Sequence, residues 1–391
     1  MDVLLNEEEQ LVASSAREFL EGECSTTLVR QMEMDPIGYP PALWAKCTEM
    51  GWTGMCLPEE YGGQALPLTY LGLVMQEVGR AMAPIPLHST SVAALTIARA
   101  GTQAQREAIL PGVAEGKTIL TWAFSEEDPR FLPETVKTTA TADGEHFVVT
   151  GKKLFVDYFA ASNKILVACR TGAASTSNAG LSLFLIDSTT AGISHVPLRT
   201  LAKDQQCEVI FDKVRVAKSD LIGQLNEGWP IMQELLDLAT VLLCTQMLGA
   251  TRMDAEMAID HAKFREAFGQ PIGAFQSIQH TCADMIIWID GGELLAYEAL
   301  WKMDNGMPAQ VEVSQAKAFC NDKCPAVCRN SQSIHGGIGF MMEFDLHLWL
   351  RRVTAWSMRL GTSYEHRERI AHALLDMPGH VVLGQPVPVQ A

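Results

Sequence analysis

Apolar residues recur at helical spacing near the start of the chain, in Leu11, Val12, Ala16, Phe19 and Leu20, and again across residues 68–83. Such a stripe marks amphipathic helices. Residues 1–117 therefore read as a helical domain, with the loop Leu57-Pro58-Glu59-Glu60-Tyr61-Gly62-Gly63 between two helical runs. The pattern changes at Thr118. Short β-branched and aromatic runs follow at 118–125, 137–142, 147–150, 164–168, 181–186 and 207–211, with Asp143-Gly144 as a turn. Runs this short between turn signals predict an antiparallel β-barrel or sandwich over residues 118–228. Helical patterning then returns and lasts to about residue 377. Its first helix, predicted over 229–268, is apolar on almost every face as far as Gly249 and charged beyond Thr251. A helix apolar all round is either buried in a large protein or spans a membrane. The charged second half excludes the span. Gly269 and Pro271 are its stop signals. The tail, 378–391, is rich in Pro, Val and Gly and is predicted to order only against a neighbour.

Composition narrows the class. The chain has 391 residues, of which 48% are hydrophobic, so it builds a sizeable core rather than a disordered coil. A net charge of -16 argues against nucleic acid or an anionic membrane as partner. The acidic start, with Glu7-Glu8-Glu9, resembles neither a signal peptide nor a transit peptide. The ten cysteines show no paired spacing, and Cys320 and Cys324 have no second pair of ligands nearby. Reduced thiols in a cytoplasmic protein are the expectation, with no metal site.

Periodicity and composition give α+β and no more. The end of the long helix adds a motif. Arg265, Phe268-Gly269-Gln270-Pro271-Ile272 and Phe275-Gln276 resemble the R-x-x-F-G-x-x-I-x-x-F-Q signature of the acyl-CoA dehydrogenases, which are flavoproteins. Pro58-Glu59 to Gly63, Glu77 to Arg80, Trp122-Ala123-Phe124-Ser125, Phe211 to Val216 and His335-Gly336-Gly337-Ile338-Gly339-Phe340 match further family segments in the family's order. The resemblance implies an N-terminal helical domain, a middle β domain and a C-terminal four-helix bundle over 229–377. It also implies FAD as cofactor, an acyl-CoA substrate and an electron-transfer flavoprotein as acceptor. A homotetramer or homodimer is expected.

The same resemblance assigns candidate site residues. Arg265 would pair with the FAD pyrophosphate of an adjacent subunit, and Phe268, Gln276 and Ser333 would lie near its nucleotide. Gly336 and Gly337 would let backbone N–H groups approach it closely. Trp122, Phe124 and Ser125 would run along the flavin ring, with Ser125 as a hydroxyl donor. Phe155 and Asp157 stand where the family usually has Trp and Thr, and Thr362 follows in the loop beyond. An aspartate near the ring would disfavour a reduced, anionic flavin.

The proton acceptor is where the chain departs most. The family's Y-E-G-T reads Arg359-Leu360-Gly361-Thr362 here, so the glutamate position is Leu360. Its backbone N–H remains as a donor to a thioester oxygen. The alternative glutamate position on the long helix is Ala239. Asp237, Asp157, Gln246, Glu126 and Glu127 are substitutes, although a glutamine cannot act as a base at ordinary pH. Asp237 is about 200° round the helix from Ala239 and is expected to point elsewhere. Several functions stay open: a dehydrogenase of bulky or cyclic acyl-CoA with an unusual base, a base-less partner in a heteromeric dehydrogenase, a flavoprotein that eliminates a β-substituent, or a purely structural helical protein.

Overall fold

A single helix, α7 (Gly228–Phe264), runs through the centre of the molecule. The computed structural model describes residues 5–172 and 180–376; the tail predicted at 378–391 lies outside them. By length and composition α7 could cross a membrane, but 78% of its most apolar stretch is buried inside the fold. Burial against other helices accounts for its apolarity.

Six helices precede the sheet: α1 (Glu7–Glu23), α2 (Thr26–Met32), α3 (Pro41–Glu49), α4 (Leu68–Arg80), α5 (Leu87–Ala100) and α6 (Gln103–Ala114). Capping explains several starts. Asn6 and Glu9 form a reciprocal capping box at α1, and Thr102 with Gln105 does so at α6. Helix α4 crosses α7 at backbone contact. A Cβ on Gly79 would lie 1.9 Å from the Gln246 carbonyl oxygen, and one on Gly249 would lie 1.7 Å from that of Gln76. After α7 come α8 (Gln276–Asp304), α9 (Gln310–His335), α10 (Leu346–Trp356) and α11 (Ser363–Ala371).

Eight strands form the middle sheet: β1 (Leu120–Ala123), β2 (Thr139–Asp143), β3 (His146–Asp157), β4 (Lys164–Arg170), β5 (Leu181–Asp187), β6 (Ile193–Pro197), β7 (Gln206–Ala217) and β8 (Leu221–Ile222). The order is β6-β7-β3-β2-β4-β5-β8, with β1 also on β4. The sheet expected to be antiparallel is antiparallel except along one edge of β4. There β1 pairs in parallel from Leu120↔Lys164 to Ala123↔Val167, and β2 touches in parallel at Thr139↔Arg170. Strands β1 and β2 thus lie end to end on the same edge of β4. The polypeptide between them, 124–138, leaves the sheet.

The long helix stops at Phe264, four positions before the predicted end. Arg265 already has extended backbone, and Glu266–Ala267 pairs with Gln270–Pro271 in a tight hairpin. Its two central residues, Phe268 and Gly269, both have positive φ (55° and 83°). That is the primed-turn geometry of two-residue hairpins. The hairpin, rather than glycine and proline within the helix, sets the boundary.

Candidate active site

The loop beyond β1 and a distortion in β3 build the first cavity. Strand β3 loses register against β7 between Lys153 and Val156. Within this bulge Phe155 takes φ 57° and is 48% exposed. Bulges re-aim side chains in this way. The Leu154 N–H donates to the Ser125 carbonyl at 2.8 Å, which ties the bulge to the end of β1. Beneath it Lys153 is fully buried, donating to the Phe124 carbonyl at 3.0 Å and to Glu126 Oε1 at 2.8 Å.

These features frame a cavity of about 490 Å³. Trp122, Phe124, Ser125, Phe155 and Asp157 line it, as does Leu360 from the turn after α10. Phe124 stacks on Phe131 at 5.8 Å, giving one side a dry aromatic wall. The Ser125 hydroxyl and the Trp122 indole N–H donate to nothing among the described residues, so both remain available to a ligand. Asp157 does not. Arg359 Nη1 donates to its Oδ1 at 2.8 Å and Nη2 to its Oδ2 at 2.5 Å, a two-pronged ion pair on the cavity wall. The unfavourable charge expected from Asp157 is thereby compensated. Arg359 had no role assigned from sequence. Nothing local marks it, because its partner is 202 positions away.

A second cavity, about 630 Å³, lies beside the first, and Phe131 and Leu360 line both. Trp229, Gln233, Leu236, Asp237 and Thr240 supply one wall from a single face of α7. Asp237 indeed points away from Ala239, and the direction is into this cavity. Arg369 Nη2 donates to its Oδ1 at 2.7 Å. Burial lifts the Asp237 carboxyl above the ordinary aspartate range even though Arg369 pulls it down.

Leu360 sits where the cavities meet. Its side chain is 5% exposed and its φ is 57°, an uncommon conformation for a leucine. The His366 Nε2 donates to its carbonyl at 2.8 Å. Its own N–H has no acceptor among the described residues, and backbone donors in a buried turn are rarely left so.

The remaining candidates lie elsewhere. Glu126 is consumed structurally: Lys153 and the Lys137 and Thr138 N–H groups all donate to it. Burial resists its ionisation, but those contacts hold its carboxyl below the usual range. Glu127 is exposed and paired with Lys152 at 3.3 Å. Gln246 lines neither cavity. Thr362 caps α11, its hydroxyl and N–H both bonded to Glu365. Ser333 is exposed and donates to the Arg329 carbonyl at 3.0 Å.

Arg265 is on another part of the surface. It is exposed, makes no side-chain bond among the described residues, and borders an open cleft of about 710 Å³ with His261, His335, Ile338 and Phe344. His335 Nδ1 faces the Ser331 carbonyl at 2.9 Å, while its Nε2 is buried without a partner. Gly336 and Gly337 follow in an exposed turn with open space around them. Phe268 and Gln276 are exposed on the adjoining hairpin and at the start of α8. An unbound guanidinium, an orphan imidazole nitrogen and open glycines suit a phosphate and a nucleoside. Free donors beside aromatic walls suit a flavin ring. The donor set therefore fits FAD, divided between two separated surfaces of the chain.

Family models match almost the whole chain: the acyl-CoA dehydrogenase N-terminal domain over residues 6–117, the middle domain over 121–214 and the C-terminal domain over 226–375. A 3-(aryl)acrylate reductase of Clostridium sporogenes is 29% identical, covering 95% of this chain and 100% of that protein. The caffeyl-CoA reductase–Etf complex subunit CarC of Acetobacterium woodii is 27% identical over 95% and 99%. The structure of butyryl-CoA dehydrogenase from Megasphaera elsdenii superposes with a TM-score of 0.89 at 25% identity, covering 96% of this chain and 100% of that one.

Proposed function

Because the chain belongs to the acyl-CoA dehydrogenase family, we propose that it is an FAD-dependent oxidoreductase that interconverts an acyl-CoA thioester and its α,β-unsaturated counterpart. One observation carries the reading. A cavity with unused donors and aromatic walls adjoins a second cavity, the two sharing Phe131 and Leu360 as lining, and the Leu360 N–H is unpartnered among the described residues. Bound FAD would supply a two-electron acceptor. Ser125 and Trp122 would hold its ring, while Arg265, Gly336 and Gly337 of a second copy would hold its nucleotide end. The Leu360 N–H would donate to the thioester oxygen, stabilising negative charge as the α-proton leaves. Phe124, Phe131 and Trp229 would exclude water from the cavities.

Two relatives are named reductases, which supports testing saturation of the C=C bond beside desaturation. One of those names also includes an Etf complex, which supports an electron-transfer flavoprotein as the redox partner. The ten cysteines are all free, in keeping with a reducing cytoplasm. The test is optical. The purified protein should be yellow, and a panel of saturated CoA thioesters should bleach it without oxygen. Protein that stays colourless after incubation with FAD would sink the proposal. Yellow protein that no saturated thioester bleaches, and that unsaturated ones fail to reoxidise after chemical reduction, would favour the base-less partner subunit.

A further inference from the structure

The turn that carries Leu360 is gripped by side chains from three other elements. Leu360 lines both cavities and keeps an N–H without an acceptor among the described residues. Its φ of 57° is followed by one of 97° at Gly361. A leucine left to itself prefers negative φ, so this conformation persists only where the surroundings over-determine it. Lys317 Nζ donates to the Trp356 carbonyl at 2.8 Å, at the end of α10. Arg359 is fastened to Asp157 on β3 through both Nη atoms. His366, in the first turn of α11, donates from Nε2 to the Leu360 carbonyl at 2.8 Å. Asn321 Nδ2 donates to the Gly361 carbonyl at 3.0 Å. Lys317 and Asn321 are one turn apart on α9, so a single face of that helix holds both ends of the segment.

We propose that His366 is the positioning residue of the Leu360 N–H, supported by Asn321, and that these two side chains aim the donor that meets the thioester oxygen. The proposal rests on the acyl-CoA reading above and adds what holds that reading's donor in place. The N–H and the carbonyl of one residue are joined through φ and ψ at a single Cα, the only soft torsions between them. Anchoring the Leu360 carbonyl to α11 and the Gly361 carbonyl to α9 therefore removes the freedom of the N–H to swing. A donor fixed in advance is worth most to acyl chemistry, because no reorganisation is left for the moment of reaction.

The imidazole suits a fixed donor. It is 2% exposed and its ring belongs to the wall of the second cavity. A carbonyl oxygen can only accept, so the ring proton is on Nε2. The Nδ1 atom is buried without a partner. Burial lowers the pKa from 6.5 to about 3. The Leu360 bond opposes that effect, while the charges of Arg369 and Lys317 add to it. The ring is therefore neutral at neutral pH and keeps its one proton for Leu360. Gly361 completes the fit. A Cβ there would lie 2.7 Å from His366 Nε2, so glycine lets the ring approach and also accepts the positive φ.

The test reads the thioester carbonyl itself. FAD-loaded protein is mixed with [1-¹³C]acetyl-CoA, which has no β-carbon and cannot be desaturated. The infrared difference against unlabelled acetyl-CoA isolates the bound C=O stretch. In the wild type this stretch should fall below that of free acetyl-CoA, the signature of donation to the oxygen. H366L fills much of the same space without a donor. It should keep its FAD and bind acetyl-CoA within about threefold of wild type, yet lose most of the downshift. H366Q, whose Nε2 can stand in for the imidazole Nε2, should restore it, and N321A should lose part of it. With an acyl-CoA that bleaches the flavin, H366L at saturating thioester should bleach about 100-fold more slowly, the cost of a misplaced donor. A full downshift in H366L, or equal loss in H366L and H366Q, overturns the proposal and leaves the acyl-CoA reading intact. Wild-type protein that binds acetyl-CoA with no downshift overturns it too, because the Leu360 N–H then donates elsewhere. Protein that takes up neither flavin nor thioester fails the parent reading, and this one with it. Should H366L not fold, N321A and the ¹⁵N spectrum of wild-type His366 decide. The ring should be the neutral Nε2–H tautomer down to about pH 5. An Nδ1–H tautomer, or a full downshift in N321A, overturns the proposal.

Discussion

Asp157 and Arg359 show how far a single side chain can be read from its neighbours in sequence. The aspartate alone suggests a negative charge beside a redox site, and the structure answers with a guanidinium on both its oxygens. Truncating one partner of such a pair strands the other charge away from water, which costs about 3 kcal/mol, whereas replacing both by apolar groups is close to neutral. D157N should therefore lower the urea midpoint markedly, and D157N/R359M should recover most of the loss. Equal midpoints for D157N and wild type would remove the pair from the account. Asp254 makes a second case. It is fully buried on α7, and neither carboxylate oxygen has a partner among the described residues. Burial raises its pKa from 3.8 to about 8. The folded chain then keeps this proton through the window in which the unfolded chain has lost it, so stability is full below about pH 4 and declines as pH rises towards 8. The slope from this group is about 1.4 kcal/mol per pH unit. The buried histidines, His366 among them with a pKa lowered to about 3 by burial, act in the opposite sense near pH 6. The comparison with D254N isolates the aspartate. The advantage of D254N in urea titrations should grow with pH from 5 to 7, and a constant difference would count against a neutral Asp254. The sequence reading reached residues that share a contiguous motif, such as Trp122 to Ser125 or Arg265 to Ile272. No role was legible for Arg359, because its partner Asp157 is 202 positions away in the chain and no spacing announces such a pair.

At the scale of elements, periodicity was a good guide wherever one face of a helix or strand meets a core. The helical first domain, most of the strands and the apolar α7 follow from it, since burial rewards the repeat directly, whereas the largely exposed β6 has no such repeat and lies outside the predicted runs. It was a poor guide to how elements meet. No pattern distinguishes the parallel pairing of β1 with β4 from the antiparallel arrangement expected, because strands buried on both faces have no alternation to read. The close crossing of α4 and α7 was equally hidden. Gly79 and Gly249 look like ordinary helical glycines, which lower helix stability on their own. They are needed because each packs directly on the backbone of the other helix, at Gln246 and Gln76. Alanine at either position would have to push two backbones apart, and overpacking of this kind costs about 3 kcal/mol. G249A should lower the thermal midpoint, although helix propensity alone predicts a gain. A more stable G249A would mean that the crossing is looser than described.

Over the whole molecule, the candidate cofactor residues fall on two surfaces that one chain does not bring together. The proposed ring side is the cavity beside Ser125 and Phe155, and the proposed nucleotide side is the cleft at Arg265. Near that cleft the surface is unusually apolar. Phe268 is 95% exposed at the tip of its hairpin, and Phe264 and Phe340 are both more than 70% exposed. Exposed aromatic clusters around a charged group are the composition of an interface core. A second copy of the chain is the occupant that would also carry Arg265 to a flavin nucleotide. The hypothesis predicts that assembly and cofactor retention are separable by charge but not by shape. R265Q removes charge-assisted bonds to a phosphate while leaving the apolar contacts. It should sediment like the wild type yet lose FAD about tenfold more readily on dilution. F268S removes a large apolar contact and should yield a smaller species that loses FAD as well. A wild-type chain that sediments as a monomer and still holds its flavin would show that both surfaces are served without a neighbour, and Arg265 would then need another ligand.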